Sequence, residues 1–157
     1  MRIGVVSDTH GYLNPRVVEV LEGVDRILHA GDIGSQEIIL GLEAVAPVTA
    51  VRGNNDRTGP TAGYPEEQVV IIGGRKLLIT HQVKLPRKDT ELLPQAFTDR
   101  DVDAVVYGHS HIAHQEWRRG ILFFNPGAAG KRRFRTVPSV GILNIDGEGI
   151  KPPVIPL

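Results

Sequence analysis

The chain contains no cysteine, which excludes disulfides and thiolate metal sites and leaves His, Asp, Glu and Asn as the available ligands. Aromatic residues are scarce, 5% of the total with a single Trp. Trp117 and Phe123-Phe124 are read as core of a second sheet rather than as a base-stacking platform. Charge of either sign is not in excess, because 18 basic residues balance 18 acidic ones. No overall field therefore points to a nucleic-acid groove or an anionic membrane, and any polyanion recognition must be local. Long hydrophobic runs are also missing: the N-terminal run Ile3 to Val6 reaches Asp8 too soon for a signal-peptide core or a membrane span. The chain is read as cytoplasmic, with no membrane partner. What remains is 157 residues, 41% of them hydrophobic, enough for one domain with a sizeable core. Residues 1–157 are taken as that single domain.

Ile3 to Val6 is a continuous β-branched run that reads as a central strand, followed by the polar loop Ser7-Asp8-Thr9-His10-Gly11. Asn14-Pro15 supplies an N-cap and first helical position, and Val17, Val18, Val20 and Leu21 form the apolar stripe of a helix ending near Gly23. Asp25 to His29 is a second strand, turning out through Ala30-Gly31-Asp32. Ser35 caps a second helix carrying Ile38, Ile39, Leu40 and Leu42, and Pro47 to Val51 is a third strand running into Gly53-Asn54-Asn55-Asp56. This strand and helix alternation implies a parallel sheet whose strands all end on one edge, where active sites of open α/β sheets gather. Asp8, His10, Asp32 and Asn54 should meet there. Gln68 to Ile72 and Lys76 to Ile79 flank Gly73-Gly74-Arg75 as a hairpin that ends at Thr80-His81. A helix is expected over Asp89 to Arg100, with Pro94 inside it, and a strand over Asp103 to Tyr107. Further strands at Ala113 to Arg118, Ile121 to Phe124 and Ser139 to Ile145 suggest a second, mixed or antiparallel sheet, and the Pro-rich end, Lys151 to Pro156, reads as an extended tail.

Gly108-His109-Ser110-His111 follows the Asp103 to Tyr107 strand. In an extended segment residues i and i+2 project to one side, so His109 and His111 can aim two imidazoles into one pocket. Together with Asp8, His10, Asp32, Asn54 and His81 they make a ligand set too large for one metal and suited to two. Asp32, after a glycine, is the natural bridging carboxylate of a dinuclear site. Two aspartates leave such a site with excess positive charge, suited to phosphate esters. Mixed nitrogen and oxygen donors favour manganese, iron, nickel or zinc over magnesium or calcium. Asp56 is read as structural, holding its loop by hydrogen bonds, His29 as a core histidine or partner of a ligand, and His114 as exposed or at the rim of the site rather than a metal ligand. Lys131 to Arg135 is the one dense basic run; it is read chiefly as a solvated loop, although its place soon after Asn125-Pro126-Gly127 lets it border the pocket.

Asp8-Thr9-His10, Gly31-Asp32, Gly53-Asn54-Asn55-Asp56, Thr80-His81, Gly108-His109-Ser110-His111 and Asn125-Pro126-Gly127 together resemble the ordered motif set of the calcineurin-like metallophosphoesterases. The match is to their small single-domain phosphodiesterase branch, related to the retromer scaffold subunit. The resemblance implies a four-layer α-β-β-α sandwich, two mixed β-sheets flanked by helices. It implies one metal held by Asp8, His10, Asp32 and His111 and a second by Asp32, Asn54, His81 and His109, with manganese the first choice and nickel, zinc or iron alternatives. The implied reaction is hydrolysis of a small phosphodiester by attack of a metal-bridging hydroxide on phosphorus. A non-catalytic protein-binding scaffold and a phosphomonoesterase are the alternatives. Nucleic acid is not favoured as a partner, and self-association is left open. Three positions depart from the family pattern. Asn55 stands where larger members have a histidine that serves as a candidate acid, His81-Gln82-Val83 replaces a His-Gly-His, and Ala128 replaces a serine. An amide cannot supply a proton, so Asn55 removes the obvious acid for the leaving group.

Overall fold

The computed structural model describes residues 1–85, 95–133 and 135–157. Strands β1 (Arg2–Val6), β2 (Arg26–His29) and β3 (Val48–Ala50) run parallel side by side. They are joined by helices α1 (Pro15–Val20) and α2 (Gln36–Glu43), as the alternation of patterns predicts. Asn14 caps α1, its side chain accepting from Arg16 N, with Pro15 at the first position. Ser35 occupies the N-cap of α2 but makes no side-chain capping bond to the backbone. The hairpin β4 (Glu67–Ile72) and β5 (Arg75–Thr80) turns at Gly73 and Gly74, whose φ of 57° and 76° is the left-handed pair that a two-residue hairpin loop needs. After the four-residue α3 (Gln95–Thr98) come β6 (Ala104–Val106), β7 (His114–Arg118) and β8 (Ile121–Asn125). Residues 89–94 of the helix expected over 89–100, Pro94 among them, lie outside the described residues. β5, β6 and β8 run parallel, and β4 and β7 close the sheet antiparallel at its two edges. The chain then returns to the first sheet as β9 (Ser139–Asp146), antiparallel to β1, and ends as β10 (Gly149–Lys151) and β11 (Val154–Pro156), both paired with β9.

That last pairing corrects the expectation of a tail. The long β9 offers a free edge after β1 has taken the other one. Prolines are tolerated on such an edge because their missing N–H faces outward, while the Pro153 carbonyl still accepts from Ile142 N at 3.0 Å.

Both sheets are mixed, and alternate residues of each strand serve different layers. Ile3 and Val5 of β1 join Leu77, Ile79, Val106, Leu122 and Phe124 in the layer between the sheets. Val6 and Ile27 point the other way, against Val17 and Leu21 of the first helix and Ile38, Ile39 and Leu42 of the second. Leu78, Val105 and Phe123 face outward to Phe97, Val102 and Tyr107. The result is the expected α-β-β-α sandwich, with only the short α3 in its last layer among the described residues. Burial on both faces explains why the strands read as unbroken apolar runs. Phe123 and Phe124 are fully buried as expected, but Trp117 is 53% exposed. It lies on β7, the last strand of its sheet, opposite Leu122 of β8, and no neighbouring strand lies beyond it.

Candidate metal centre

The carboxyl ends of the parallel strands from both sheets converge. Asp8 follows β1, Asp32 follows β2 and Asn54 follows β3; His81 follows β5, and His109 and His111 follow β6. Backbone bonds carry the first sheet's ladder into its loops: Asp8 N donates to Gly31 O at 3.0 Å, and His10 N donates to Asp32 O at 2.9 Å. Several bonds tie the sheets together at the site, among them His109 N donating to Asp8 Oδ2 at 3.0 Å.

The convergence of His109 and His111 does not come from an extended segment. Their φ values are 71° and 60°, and those of Asp8, His10 and Asp32 are 53°, 48° and 52°. Five of the seven candidate ligands thus lie in the left-handed region, which costs a side-chain-bearing residue about 1 kcal/mol or more. Elsewhere among the described non-glycine residues only Asp101 and Arg119 share it. Turns rather than strand alternation aim the two imidazoles, and the sequence carries only a faint signal of this, since Asp and His are enriched in that conformation.

The donor atoms form two overlapping groups. Asp8 Oδ1 lies 3.2 Å from His111 Nε2 and 3.8 Å from His10 Nε2, and those two nitrogens are 3.2 Å apart. Asn54 Oδ1 lies 3.0 Å from both His81 Nε2 and His109 Nδ1. Asp32 Oδ2 stands between the groups, 3.7 Å from His10 Nε2 and 3.4 Å from His81 Nε2. All seven residues read from the sequence are therefore brought to one place. Asp8 Oδ1 is buried and has no hydrogen-bond partner, an arrangement that is costly for a carboxylate unless a cation sits against it. Lone pairs of imidazole nitrogens and carboxylate oxygens meeting at such distances are the donor set of a divalent transition ion, and Asp8, His10, His111 and Asp8, Asp32, His81 each have the spacing to hold one.

The electrostatics agree. Burial opposes a charge on Asp32, but hydrogen bonds from His81 and from the Asn55 backbone and side-chain amides, with the attraction of His81, outweigh it and hold the carboxyl well below the usual carboxylate range. For His81, burial works against the cation, yet the hydrogen bonds to Asp32 and the Ala30 carbonyl and the charges of Asp8 and Asp32 raise its pKa. The pocket thus stabilises positive charge at His81 Nε2, where a metal ion would replace a proton. The Ala30 carbonyl, 2.7 Å from Nδ1, fixes the ring so that Nε2 faces the site. His10 is shifted down, chiefly by burial and against the pull of Asp32, which favours the neutral ring, the form that could bind an ion.

Several residues hold the ligands, and sequence reading assigned a role to only some of them. Asp56 is structural as expected: Oδ2 accepts from Ile33 N and Gly53 N at 3.0 and 2.8 Å, and Oδ1 from Gly34 N at 3.0 Å. Asn55 was read only as a missing acid, but its backbone N and its Nδ2 donate to Asp32 Oδ1 and Oδ2, each at 2.8 Å. Asn125 Nδ2 donates to the Gly108 carbonyl at 3.0 Å and to Ser110 Oγ at 3.1 Å, bracing the histidine loop. Gln82 Nε2 lies 2.8 Å from His109 Nε2, and Ser7 Oγ donates to Asp8 Oδ2 at 2.7 Å. His114 is exposed, as expected, and pairs with Glu116.

His29 is a buried core histidine. Its Nε2 meets Thr9 Oγ1 at 3.0 Å and its Nδ1 accepts from Gly31 N at 3.2 Å, and burial pushes its pKa from 6.5 down to about 4. Above pH 6.5 the folded and unfolded chains both keep it neutral. As pH falls from 6.5 towards 4 only the unfolded chain gains the proton, so stability drops by up to ~1.4 kcal/mol per unit, on the order of 3 kcal/mol in all. Urea unfolding of the metal-free protein at pH 7, 6, 5 and 4.5 should show this slope, and His29→Gln should flatten it. An equal slope in the variant would assign the effect to other groups.

The geometry accounts for the likenesses of the whole chain. Residues 1–148 match the family model of the calcineurin-like phosphoesterase superfamily domain. A probable metallophosphoesterase of Methanothermobacter thermautotrophicus is 34% identical over 99% of this chain and 92% of its own length. Among solved structures, an archaeal phosphodiesterase is 27% identical with a TM-score of 0.78, covering 100% of both chains. A single mutant of Vps29 from Entamoeba histolytica is 25% identical with a TM-score of 0.76, over 100% of this chain and 99% of that one. The motif set, the paired sheets and the clustered donors have one common explanation: the chain belongs to the calcineurin-like phosphoesterase superfamily.

Proposed function

We propose that Asp8, His10, Asp32 and His111 hold one divalent ion, that Asp32, Asn54, His81 and His109 hold a second, and that the centre hydrolyses small phosphodiesters. The observation that carries this reading is the place of Asp32: one carboxylate oxygen faces a histidine of each group, so a single side chain serves both sets. Bound there, the ions supply a nucleophile from water and neutralise charge on the phosphoryl oxygens. The mixed donors favour manganese, iron, nickel or zinc over magnesium or calcium, and the family resemblance puts manganese first among them.

The chain's own groups do the positioning. Asn55 fixes the plane of Asp32 with two donated bonds, Ser7 and the His109 amide fix Asp8, and the Ala30 carbonyl orients His81. No proton for the leaving group comes from Asn55, so substrates with acidic leaving groups, such as aryl phosphodiesters, are expected to react fastest.

The likeness to Vps29 supports a second reading, a protein-binding scaffold without turnover. Metal analysis combined with hydrolysis of bis(p-nitrophenyl) phosphate separates the two. The enzyme reading expects turnover with manganese, nickel or zinc supplied in turn, and negligible turnover with all three sinks it. Comparison with p-nitrophenyl phosphate distinguishes a diesterase from a monoesterase. Metal at about 100 times its Kd should also raise the unfolding free energy by ~2.7 kcal/mol, seen as a higher Tm that a chelator reverses.

A further inference from the structure

Two cavities adjoin the candidate centre from opposite flanks. One, of about 570 Å³, touches Asn54 and His81 and contains Arg52 and Arg57. Its Arg52 is already engaged, donating to Glu66 Oε1 at 2.9 Å and to the Ala62 carbonyl at 3.2 Å. The other, of about 300 Å³, is lined by Thr9, His10, Gly11, Tyr12, Lys131 and Arg133. It has two cations and no carboxylate in its wall, and neither Lys131 nor Arg133 has an acidic partner among the described residues. In a chain with no net charge, this surplus is placed and local.

The fold brings these cations here through Gly130. Ala129 N donates to the Ser7 carbonyl at 2.9 Å. At the next residue the backbone passes so close to the first loop that a Cβ would stand 2.6 Å from Thr9 O and 2.8 Å from Asp8 O. Only glycine allows that approach. Lys131 therefore emerges beside the loop, with Nζ 5.4 Å from the centroid of the Tyr12 ring. That contact restrains an otherwise freely moving ammonium group. Arg133 lines the same cavity, its carbonyl accepting from Thr136 N and Oγ1, and both cations are exposed to solvent there. The scissile group of a simple diester has one negative charge, already met by the centre. Two further unpaired cations on a single flank answer a second anion.

We infer that the cavity beside His10 is a subsite for a terminal phosphate carried on one ester arm of the substrate, gripped by Lys131 and Arg133. The inference rests on the proposed phosphodiesterase reading and narrows it to diesters with one phosphorylated arm, such as a 5′-phosphorylated nucleotide unit. The leaving arm then lies towards Asn54 and Arg57. Cation contacts to phosphate are charge-assisted and weaken with salt.

A matched pair of substrates tests this: thymidine 3′-(p-nitrophenyl phosphate) with and without a 5′-phosphate, assayed with the manganese-loaded full chain. The phosphorylated substrate is expected to have a kcat/KM roughly tenfold higher at low salt, expressed mainly in KM and shrinking as salt rises. In the Lys131→Ala, Arg133→Ala double variant the ratio between the two substrates should fall to near one. Equal rates for the pair in the unaltered protein, or a preference that survives in the double variant, would overturn the subsite. Calorimetric titration of thymidine 3′,5′-bisphosphate in the presence of chelator gives a readout independent of turnover. Binding that weakens roughly tenfold in the double variant supports the subsite even if neither ester is hydrolysed, and unchanged or absent binding refutes it.

Discussion

Replacing Asp32 with asparagine is expected to lower kcat/KM on an aryl phosphodiester by about 1,000-fold or more, equivalent to ~4 kcal/mol of lost transition-state stabilisation. The amide preserves the size of the side chain but removes the charge that both donor groups share. Metal content should fall below two ions per chain at the same time. Asp32 is held ionised far into the acid range by His81 and Asn55 in spite of its burial, so a fall in rate between pH 7 and 5 would come from groups other than this carboxyl. Rate measurement and metal analysis on the same variant check the prediction. An activity within tenfold of the unaltered protein, with full metal content, would show that Asp32 is not shared.

The second large effect falls on stability. Asp56 is fully buried and binds three backbone amides, two from the loop after β2 and one from the loop after β3. Its truncation in Asp56→Ala leaves three donors without a partner, each of which loses a bond to a charged acceptor, worth about 1.5–3 kcal/mol in a typical case. These losses do not add fully, since water and local movement recover part of them, and a net destabilisation on the order of 4 kcal/mol is expected. For a chain of this size that is a fall in Tm of roughly 10 °C. The loops it joins carry Asp32 and Asn54, so metal affinity should weaken together with the fold. A Tm within about 2 °C of the unaltered protein would refute the tie.

The sequence made part of this architecture readable. Ile3 to Val6 and Asp25 to His29 are short, β-branched or aliphatic, and end in polar loops, so the parallel core and the position of Asp8 and Asp32 at its edge could be inferred from one-dimensional pattern. Each rule there is local. The joining of two sheets was not local: His109 reaches Asp8 through a bond that spans most of the chain, and only the ordered family motifs hinted at it. Trp117 failed as a core residue because edge position depends on strand order, which no single strand encodes. Lys151 to Pro156 failed as a tail because the partner edge belongs to a distant strand. Asn55 was judged by the chemistry it lacks, a transferable proton, while its two N–H donors became meaningful only once Asp32 stood opposite them.

The left-handed backbone at Asp8, His10, Asp32, His109 and His111 also bears on how this chain can change over generations. Glycine, and to a lesser degree asparagine, relieves the conformational cost at each of these positions. Change at any of these five positions therefore trades relief of the backbone against loss of a donor from the candidate centre.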